Sequence, residues 1–171
     1  PVVMVFTSGT TSRPKRVMLT HHNITANAIA QADCMNLTSE DRMCIAVPFF
    51  HCMGAISSNL CCVSVGATMV PVETFDPDKV LRTVEKERCT ALHGVPSMFI
   101  MELEQLEKDS YDISSLRTGI IAGDMYPPDL IKKIVDVMHM RDIITSYGQS
   151  EASPCITSTR FDDPLEIRAT T

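Results

Sequence analysis

The chain has 171 residues, a net charge of −6 at neutral pH and an isoelectric point near 5.3. This length suits one domain or one large subdomain, and a content of 44% hydrophobic and 21% charged residues is typical of a globular protein that can bury a core. The acidic balance leaves no basic stripe to neutralise the phosphates of a nucleic acid, which excludes that class of partner.

An uncharged stretch over residues 43–72 raises the question of a membrane span. Pro48, Gly54 and Gly66 interrupt it, so we predict a buried strand–loop–helix–strand unit and no span. No basic and then apolar leader opens the chain, so no secretory signal is expected, and the cytoplasm, or the mitochondrial matrix in a eukaryote, is the predicted location. Seven cysteines without a C-x-x-C spacing predict reduced thiols packed as small hydrophobic side chains.

Apolar and polar patterns along the chain predict strands and helices in regular succession, without a linker or an internal repeat. Strands are predicted at residues 2–6, 44–47, 67–70, 90–92, 116–121 and 142–146. Helices are predicted from Thr20 or Asn23 to about Met35, over residues 51–65, from Asp76-Pro77 onward, over residues 96–108, and from Pro127-Pro128 onward. Such alternation is typical of an α/β domain with a largely parallel sheet and flanking helices.

Three polar segments, at residues 7–15, 123–125 and 147–151, each follow a predicted strand. In open parallel sheets, ligands bind outside the carboxyl ends of the strands. We therefore expect the three segments to meet in one binding site.

The first polar segment reads Thr7-Ser8-Gly9-Thr10-Thr11-Ser12-Arg13-Pro14-Lys15. Its hydroxyls and backbone N–H groups can donate hydrogen bonds to phosphate, and the Lys15 ammonium can neutralise charge. It is not a Walker A loop, because the second glycine and the hydroxyl residue after the lysine are lacking. Taken alone, a plain polar turn is the simpler interpretation.

The same segment resembles the S-G-T-T-G-x-P-K-G signature of the adenylate-forming enzymes, which include acyl-CoA synthetases, luciferases and the adenylation domains of peptide synthetases. The matching positions are Ser8, Gly9, Thr10, Thr11, Pro14 and Lys15. Three later segments, at residues 48–54 (PFFHCMG), 122–130 (AGDMYPPDL) and 147–151 (YGQSE), resemble the family's P-x-F-H-x-x-G, G-G-A-P-x-x-P-E-L and Y-G-x-T-E. They occur in the family's order, and the region 75–103 looks most like the fatty-acyl branch.

The resemblance implies that a carboxylic acid, a fatty acid in the branch favoured here, is activated to an acyl-adenylate and transferred to coenzyme A, with ATP, Mg²⁺ and CoA as cofactors or co-substrates. It implies catalytic roles for Lys15 and Glu151, with Glu151 and Thr11 as metal ligands. His51 would border the acid, although alone it would be read as a structural histidine. The implied nucleotide-binding positions are Thr7, Ser8, Gly9, Thr10, Thr11, Gly123, Asp124, Met125, Tyr147, Gly148 and Ser150.

Two departures fall in the first motif, where Ser12 and Arg16 stand at positions of family glycines. A serine adopts the left-handed conformation at a cost of about 1 kcal/mol, and Arg16 is bulkier, though it adds positive charge. Two interpretations stay open: an enzyme loop with altered ATP affinity, or a non-catalytic nucleotide- or acyl-binding remnant. Asp124 and Met125 also depart from the family's small residue and proline.

Family enzymes are much longer, so residues 1–171 are interpreted as an internal fragment of their large N-terminal domain. An upstream segment, a downstream ribose-binding aspartate and a small C-terminal domain with a catalytic lysine lie outside this stretch. Adenylation by these residues alone is therefore not expected, and apolar surface that the other segments would cover favours self-association. An unrelated α/β domain with coincidental turns is a third alternative, against which the ordered motifs argue.

Overall fold

The computed structural model of the chain describes residues 1–7 and 14–170. The strands are β1 (Val3–Thr7), β2 (Lys15–Leu19), β3 (Arg42–Ile45), β4 (Thr68–Pro71), β5 (Ala91–Leu92), β6 (Thr118–Ala122), β7 (Asp142–Gly148) and β8 (Cys155–Ser158). The α-helices are α1 (His21–Cys34), α2 (Cys61–Val65), α3 (Pro77–Glu87), α4 (Pro96–Leu106), α5 (Pro128–Met138) and α6 (Leu165–Thr170). A π-helical segment, Met53–Leu60, leads into α2, and a 3-10 turn, Ser150–Ala152, follows β7.

The main sheet has six strands in the order β4-β3-β5-β6-β7-β8. All neighbouring pairs are parallel except β7 and β8, which run antiparallel. The predicted α/β fold with a largely parallel sheet and flanking helices is confirmed. β2, β8 and α6 were not predicted, because none of them carries a long apolar run.

The first strand does not belong to this sheet. β1 pairs antiparallel with β2 in a separate two-stranded sheet, with Thr7 opposite Lys15. The expectation that all three polar segments follow strands of one parallel sheet is therefore wrong for the first segment. An isolated strand pattern identifies a strand, but it does not identify the partner with which that strand pairs.

The helix starts follow the local chemistry of the sequence. Thr20 accepts a hydrogen bond from the N–H of Asn23, whose side chain accepts one from the N–H of Thr20, so both predicted cap residues act together in a capping box. Asp76 caps α3 as predicted, with Pro77 in the first turn. The helix predicted over residues 51–65 begins instead at Met53 and is π-helical as far as Leu60. π-Helical turns occur often at functional sites.

The core consists of the inward faces of the sheet and of the helices packed on it. The largest buried side chains include Phe99, Met35, Ile120, Ile131 and Met138. All seven cysteines are free, and five of them are buried. Among the described residues, no helix combines the length and the hydropathy that a membrane crossing requires.

A polar network ties together the amino ends of four parallel strands. Arg117, just before β6, donates from Nε to Oδ1 of Asp41 at 3.0 Å and from a terminal nitrogen to Oδ2 of Asp142 at 3.2 Å. Thr90, just before β5, donates to Oδ1 of Asp41 at 2.6 Å. Burial raises the pKa of Asp41, but the hydrogen bonds from Arg117, Thr90 and the N–H of Thr38 outweigh this and lower it overall.

Replacing Asp41 by alanine should lower the free energy of unfolding by about 3 kcal/mol, because it leaves the Arg117 guanidinium without its buried partner. The stabilisation should be complete above the unfolded pKa of aspartate and should disappear as pH falls through the lower folded pKa of Asp41. Urea unfolding over a pH series checks both statements. Arg82→Ala, which breaks exposed ion pairs with Asp78 and Asp109, is the control and should cost less than about 1 kcal/mol. Equal losses for the two variants would contradict the assigned role of Asp41.

One buried carboxyl group lies apart from any charge partner. Glu102 of α4 is 1% exposed, and neither carboxyl oxygen has a hydrogen-bond partner among residues 1–7 and 14–170. Burial raises the pKa of Glu102 to about 8. The native state therefore favours the protonated carboxyl group near neutral pH.

Stability should fall as pH rises from the ordinary glutamate pKa through about 8, because the native state binds this proton more tightly than the unfolded state does. Between pH values of about 6 and 9 the loss should be about 3 kcal/mol. Glu102→Gln should abolish it, whereas Glu104→Gln, at an exposed position of the same helix, should not. The urea midpoint of each protein at the two pH values measures this loss of stability. If E102Q lost as much stability as the wild type, the raised pKa of Glu102 would be contradicted.

Candidate active site

A cavity of about 210 Å³ lies at the carboxyl ends of β6 and β7. Its wall combines the ends of these strands with the start of the π-helical segment, one residue of α1 and the loop after β7. The lining residues are Gln31, His51, Cys52, Met53, Ser57, Val95, Ile120, Ala122, Gly123, Ser146, Tyr147, Gly148, Gln149, Ser150, Pro154 and Cys155. This is the edge of a parallel sheet at which ligands usually bind.

Residues from three separated motifs meet in this cavity: His51, Gly123, Tyr147, Gly148 and Ser150. All five are site residues predicted from the sequence. A second cavity, of about 610 Å³, adjoins the first and shares several of its wall residues. Its remaining wall includes the predicted positions Asp124 and Met125. Together the two adjoining cavities are called the recess, which lies along the ends of β6 and β7.

The strands that flank the first polar segment form the separate hairpin. Ser8, Gly9, Thr10 and Thr11 lie outside the described residues, and Thr7 and Lys15, at the facing ends of β1 and β2, frame them. Cα atoms of both strands lie within 8 Å of Cα atoms in the turn Ser150–Ala152. The hairpin that contains Thr7 and Lys15 therefore lies beside the turn that carries Glu151.

Lys15 and Glu151 are both exposed, and neither lines the two cavities. In the described part of the chain, no group of three or more His, Cys, Asp or Glu side chains could hold a metal ion by itself. The Glu151 carboxylate makes no ion pair or hydrogen bond with a described residue. A single free carboxylate fits Mg²⁺, which commonly takes one or two carboxylates and completes its shell with phosphate oxygens and water.

His51 is held at the cavity mouth by its neighbours. The N–H of Met53 donates to Nδ1 of His51 at 3.3 Å, and the Cys52 thiol lies 3.7 Å from the same nitrogen. Because Nδ1 accepts this bond, the neutral ring carries its proton on Nε2. The Cys52 thiol also lies 3.5 Å from the hydroxyl of Ser150. These contacts link the start of the π-helical segment directly to the segment after β7.

The segment after β7 turns sharply at Gly148. A Cβ atom there would lie 2.1 Å from the carbonyl oxygen of Pro154, so only glycine fits without a backbone shift. The N–H of Gln149 donates to that same oxygen at 2.9 Å. Pairing of β7 with β8 also shifts register between Tyr147 and Gly148. Such an irregularity changes the direction of the strand. The Tyr147 side chain beside it is 66% exposed.

The loop after β6 contributes Gly123, Asp124 and Met125 to the wall of the recess. Gly123 has φ +96°, a conformation that favours glycine. Oδ1 of Asp124 accepts from the N–H of Met125 at 2.8 Å, while the Met125 side chain is 93% exposed. The departures from the family pattern at these two positions therefore leave the turn intact.

Arg16 occupies regular strand backbone in β2, opposite Phe6. It is not among the described non-glycine residues with positive φ, which are Asn36, Arg88, His139 and Ser153. A side chain at this position is therefore free of the strain that a glycine position would impose. Ser12 lies outside the described residues.

Sequence reasoning missed Gln31 and Asn27, two polar residues of α1. Gln31 is 2% exposed and lines the cavity. It follows Ile24 and Ala28 on the buried face of α1. A polar residue in an apolar position of a helical pattern was the available signal.

The AMP-binding enzyme family model matches residues 1–171 of this chain. The chain is 58% identical over 168 residues to the putative acyl-CoA synthetase YngI of Bacillus subtilis, covering 98% of this chain and 31% of that protein. It is 47% identical over 167 residues to the acyl-CoA ligase SID4 of Ajellomyces capsulatus, with shares of 97% and 28%. It is 38% identical over 175 residues to the human mitochondrial medium-chain acyl-CoA ligase ACSF2, with shares of 99% and 28%.

Solved structures of similar proteins have the same fold. ATP-bound MatB from Rhodopseudomonas palustris superposes with a TM-score of 0.81 at 27% identity, over 95% of this chain and 31% of that one. The AMP complex of the O-succinylbenzoate coenzyme A synthetase MenE from Bacillus subtilis gives 0.79 at 27% identity, over 95% and 33%. The chain thus spans about a third of the length of the proteins it matches. It belongs to the AMP-binding enzyme family.

Proposed function

We propose that the protein to which this chain belongs is an acid–thiol ligase. It activates a carboxylic acid with ATP and passes the acyl group to coenzyme A. The names of the similar proteins, which are acyl-CoA synthetases and ligases, support this proposal. Residues 1–171 would form part of the large domain of that enzyme, since they span about a third of the matched proteins.

The observation that carries the proposal is the convergence of three distant motifs on one recess. His51, Gly123, Tyr147 and Ser150 line the same cavity, although they are far apart in the sequence. A recess of this kind, mostly preformed and with a few polar groups at its mouth, suits a small-molecule ligand. The free carboxylate of Glu151 and the nearby hairpin ends add the charge pattern that a metal–nucleotide complex requires.

In the proposed site the nucleotide lies along the ends of β6 and β7. Gly123, Asp124 and Met125 border the adenine through their backbone, and Tyr147 covers the adenylate. Lys15 neutralises phosphate charge, with Thr10 and Thr11 as hydroxyl donors to the β- and γ-phosphates. Thr7, Ser8, Gly9, Gly148 and Ser150 complete the proposed nucleotide contacts.

Glu151 would hold Mg²⁺ together with Thr11 and the phosphate oxygens. The ion, when bound, neutralises charge on the phosphates. The protein's own part is to hold the Glu151 carboxylate beside the hairpin, where no cationic side chain among residues 1–7 and 14–170 pairs with it. Positioning and charge neutralisation, without a covalent protein intermediate, are then enough for the chemistry.

The acid would enter the smaller cavity, with His51 at its mouth. Its carboxylate oxygen attacks the α-phosphorus of ATP, the bond from that phosphorus to the bridging oxygen breaks, and pyrophosphate leaves. The CoA sulfur then attacks the acyl carbon and AMP leaves. We infer a fatty acid as substrate, for which the medium-chain specificity in the name of ACSF2 is support.

The second candidate function is a non-catalytic nucleotide- or acyl-binding remnant. Ser12, at a family glycine position, favours it, whereas the regular strand backbone of Arg16 argues for a competent loop. Ser12→Gly and Arg16→Gly together in the full-length protein separate the two. A gain in adenylation would indicate a damaged loop in the natural protein, and unchanged high activity would remove the remnant from consideration.

Location and association follow from the same proposal. We infer the cytoplasm, or the mitochondrial matrix in a eukaryote, for which the mitochondrial name of ACSF2 is support. Apolar side chains of the hairpin are exposed, with Phe6 at 62% and Met18 at 65%. This surface would be covered in the longer protein, so residues 1–171 expressed alone should self-associate.

Mg-ATP binding tests the proposed nucleotide site. In the full-length protein, Lys15→Ala and Glu151→Ala should each weaken Mg-ATP binding by about tenfold, because each removes one charge partner of the phosphates or the metal. Lys133→Ala and Glu104→Ala, which make the same charge changes at exposed helix positions, should leave it unchanged. Calorimetric titration measures the four affinities, and equal behaviour of test and control variants would contradict these assignments.

Thioester formation tests the reaction itself. The full-length protein should form acyl-CoA from a fatty acid, ATP and CoA, and should release pyrophosphate and AMP in equal amounts. Mass spectrometry of the products over a panel of acids from short to long chain measures this. Tight Mg-ATP binding without thioester from any acid would contradict the ligase function and favour the remnant.

A further inference from the structure

Helix α1 presents two amide side chains to the candidate site. Asn27 and Gln31 are one turn apart, so their side chains lie on the same face of the helix. Nε2 of Gln31 donates to Oδ1 of Asn27 at 2.5 Å. Gln31 lines the smaller cavity, and Asn27 is half-buried beneath the segment that follows β7.

The Asn27 side chain forms hydrogen bonds with the backbone of two residues. Its Nδ2 donates to the carbonyl oxygen of Cys155 at 2.7 Å and to that of Ala152 at 3.4 Å. Its Oδ1 accepts from the N–H of Cys155 at 3.3 Å. The two anchored residues bracket the stretch between the Ser150–Ala152 turn and β8.

These bonds leave the amide a single orientation. The N–H of Cys155 can only face an acceptor, and the two carbonyl oxygens can only face donors, so Oδ1 and Nδ2 of Asn27 cannot exchange places. Gln31 must then present its own donor to Oδ1. The two amides therefore form one chain of hydrogen bonds in a single orientation, which runs from Gln31 in the cavity wall to the backbone at the turn.

The turn that carries Ser150 and Glu151 is held weakly by its own bonds. It has three residues, and its backbone contacts are local: Ala152 N–H to Gln149 O, and Ser153 N–H to Ser150 O. Such short 3-10 turns have poor hydrogen-bond geometry. Within the part of the chain that the structure describes, Asn27 alone supplies a side-chain hydrogen bond from a distant element to the backbone of residues 150–155.

We propose that Asn27 is a positioning residue that holds Ser150 and Glu151 in register with the recess, so that both meet Mg-ATP. This inference rests on the proposed function. Asn27 acts through the backbone at Ala152 and Cys155 and does not itself line the cavity. Groups that orient metal and phosphate ligands in this way commonly change affinity by about 10- to 100-fold when they are removed.

Asn27→Asp in the full-length protein is the sharpest variant. It keeps the size and the acceptor for Gln31 and the Cys155 N–H, but it turns an anionic oxygen toward two carbonyl oxygens. Asn27→Ala removes all of the hydrogen bonds made by this side chain. Thr25→Ala, at an exposed position of the same helix, is the matched control for general effects on α1.

Hydrogen exchange tests the positioning without any need for activity. Backbone amides in peptides that cover residues 148–157 should exchange at least about tenfold faster in N27D and N27A than in the wild type, while α5 stays unchanged. T25A should match the wild type. Unchanged exchange in this segment, or faster exchange spread equally over the whole domain, would overturn the inference.

Kinetics separate positioning from mere destabilisation. The KM for Mg-ATP should rise about tenfold in N27D, while the KM for the acid changes little. Equal loss at every ATP concentration would overturn the inference. If the wild type forms no acyl-adenylate, the ligase proposal fails, and hydrogen exchange still decides the role of Asn27.

Discussion

The arrangement of the sheet depends on the buried contact between Asp41 and Arg117. Asp41 precedes β3, Thr90 precedes β5, Arg117 precedes β6 and Asp142 opens β7, so one network fixes the amino ends of four parallel strands. Parallel strands that are not neighbours in sequence need such a constraint, because no tight turn sets their relative register.

The candidate site uses the opposite edge of the same sheet. The ends of β6 and β7 form its floor, and the motifs that line it lie on loops shaped by the positive φ of Gly123 and by the close backbone approach at Gly148. The strands that flank the first polar segment form a hairpin outside the main sheet, and this hairpin lies beside the Ser150–Ala152 turn. A rigid sheet edge with ligand-binding groups on attached loops is a common division of labour in α/β enzymes.

Helix α1 serves both the core and the site. Ile24 and Ala28 bury its apolar face, while Asn27 and Gln31 turn amides toward the recess and the loop above it. Buried polar networks are stable only when each member finds a partner, and Asn27 satisfies both ends of its amide. Glu102 is the counterexample in the described chain: a carboxyl group that the core keeps neutral because it offers no partner.

The α/β class, most strand and helix positions, the caps at Thr20 and Asp76 and the order of the motifs followed from the sequence alone, because propensity, capping and periodicity are local properties. The shared cavity of His51, Gly123 and Tyr147 was expected from motif resemblance, but the tertiary structure alone brings these residues together. Only the tertiary structure decided that β1 pairs with β2 outside the main sheet, and that Asn27 reaches Cys155. Strand partners and contacts across more than a hundred residues depend on how whole elements pack, and no local pattern encodes that information.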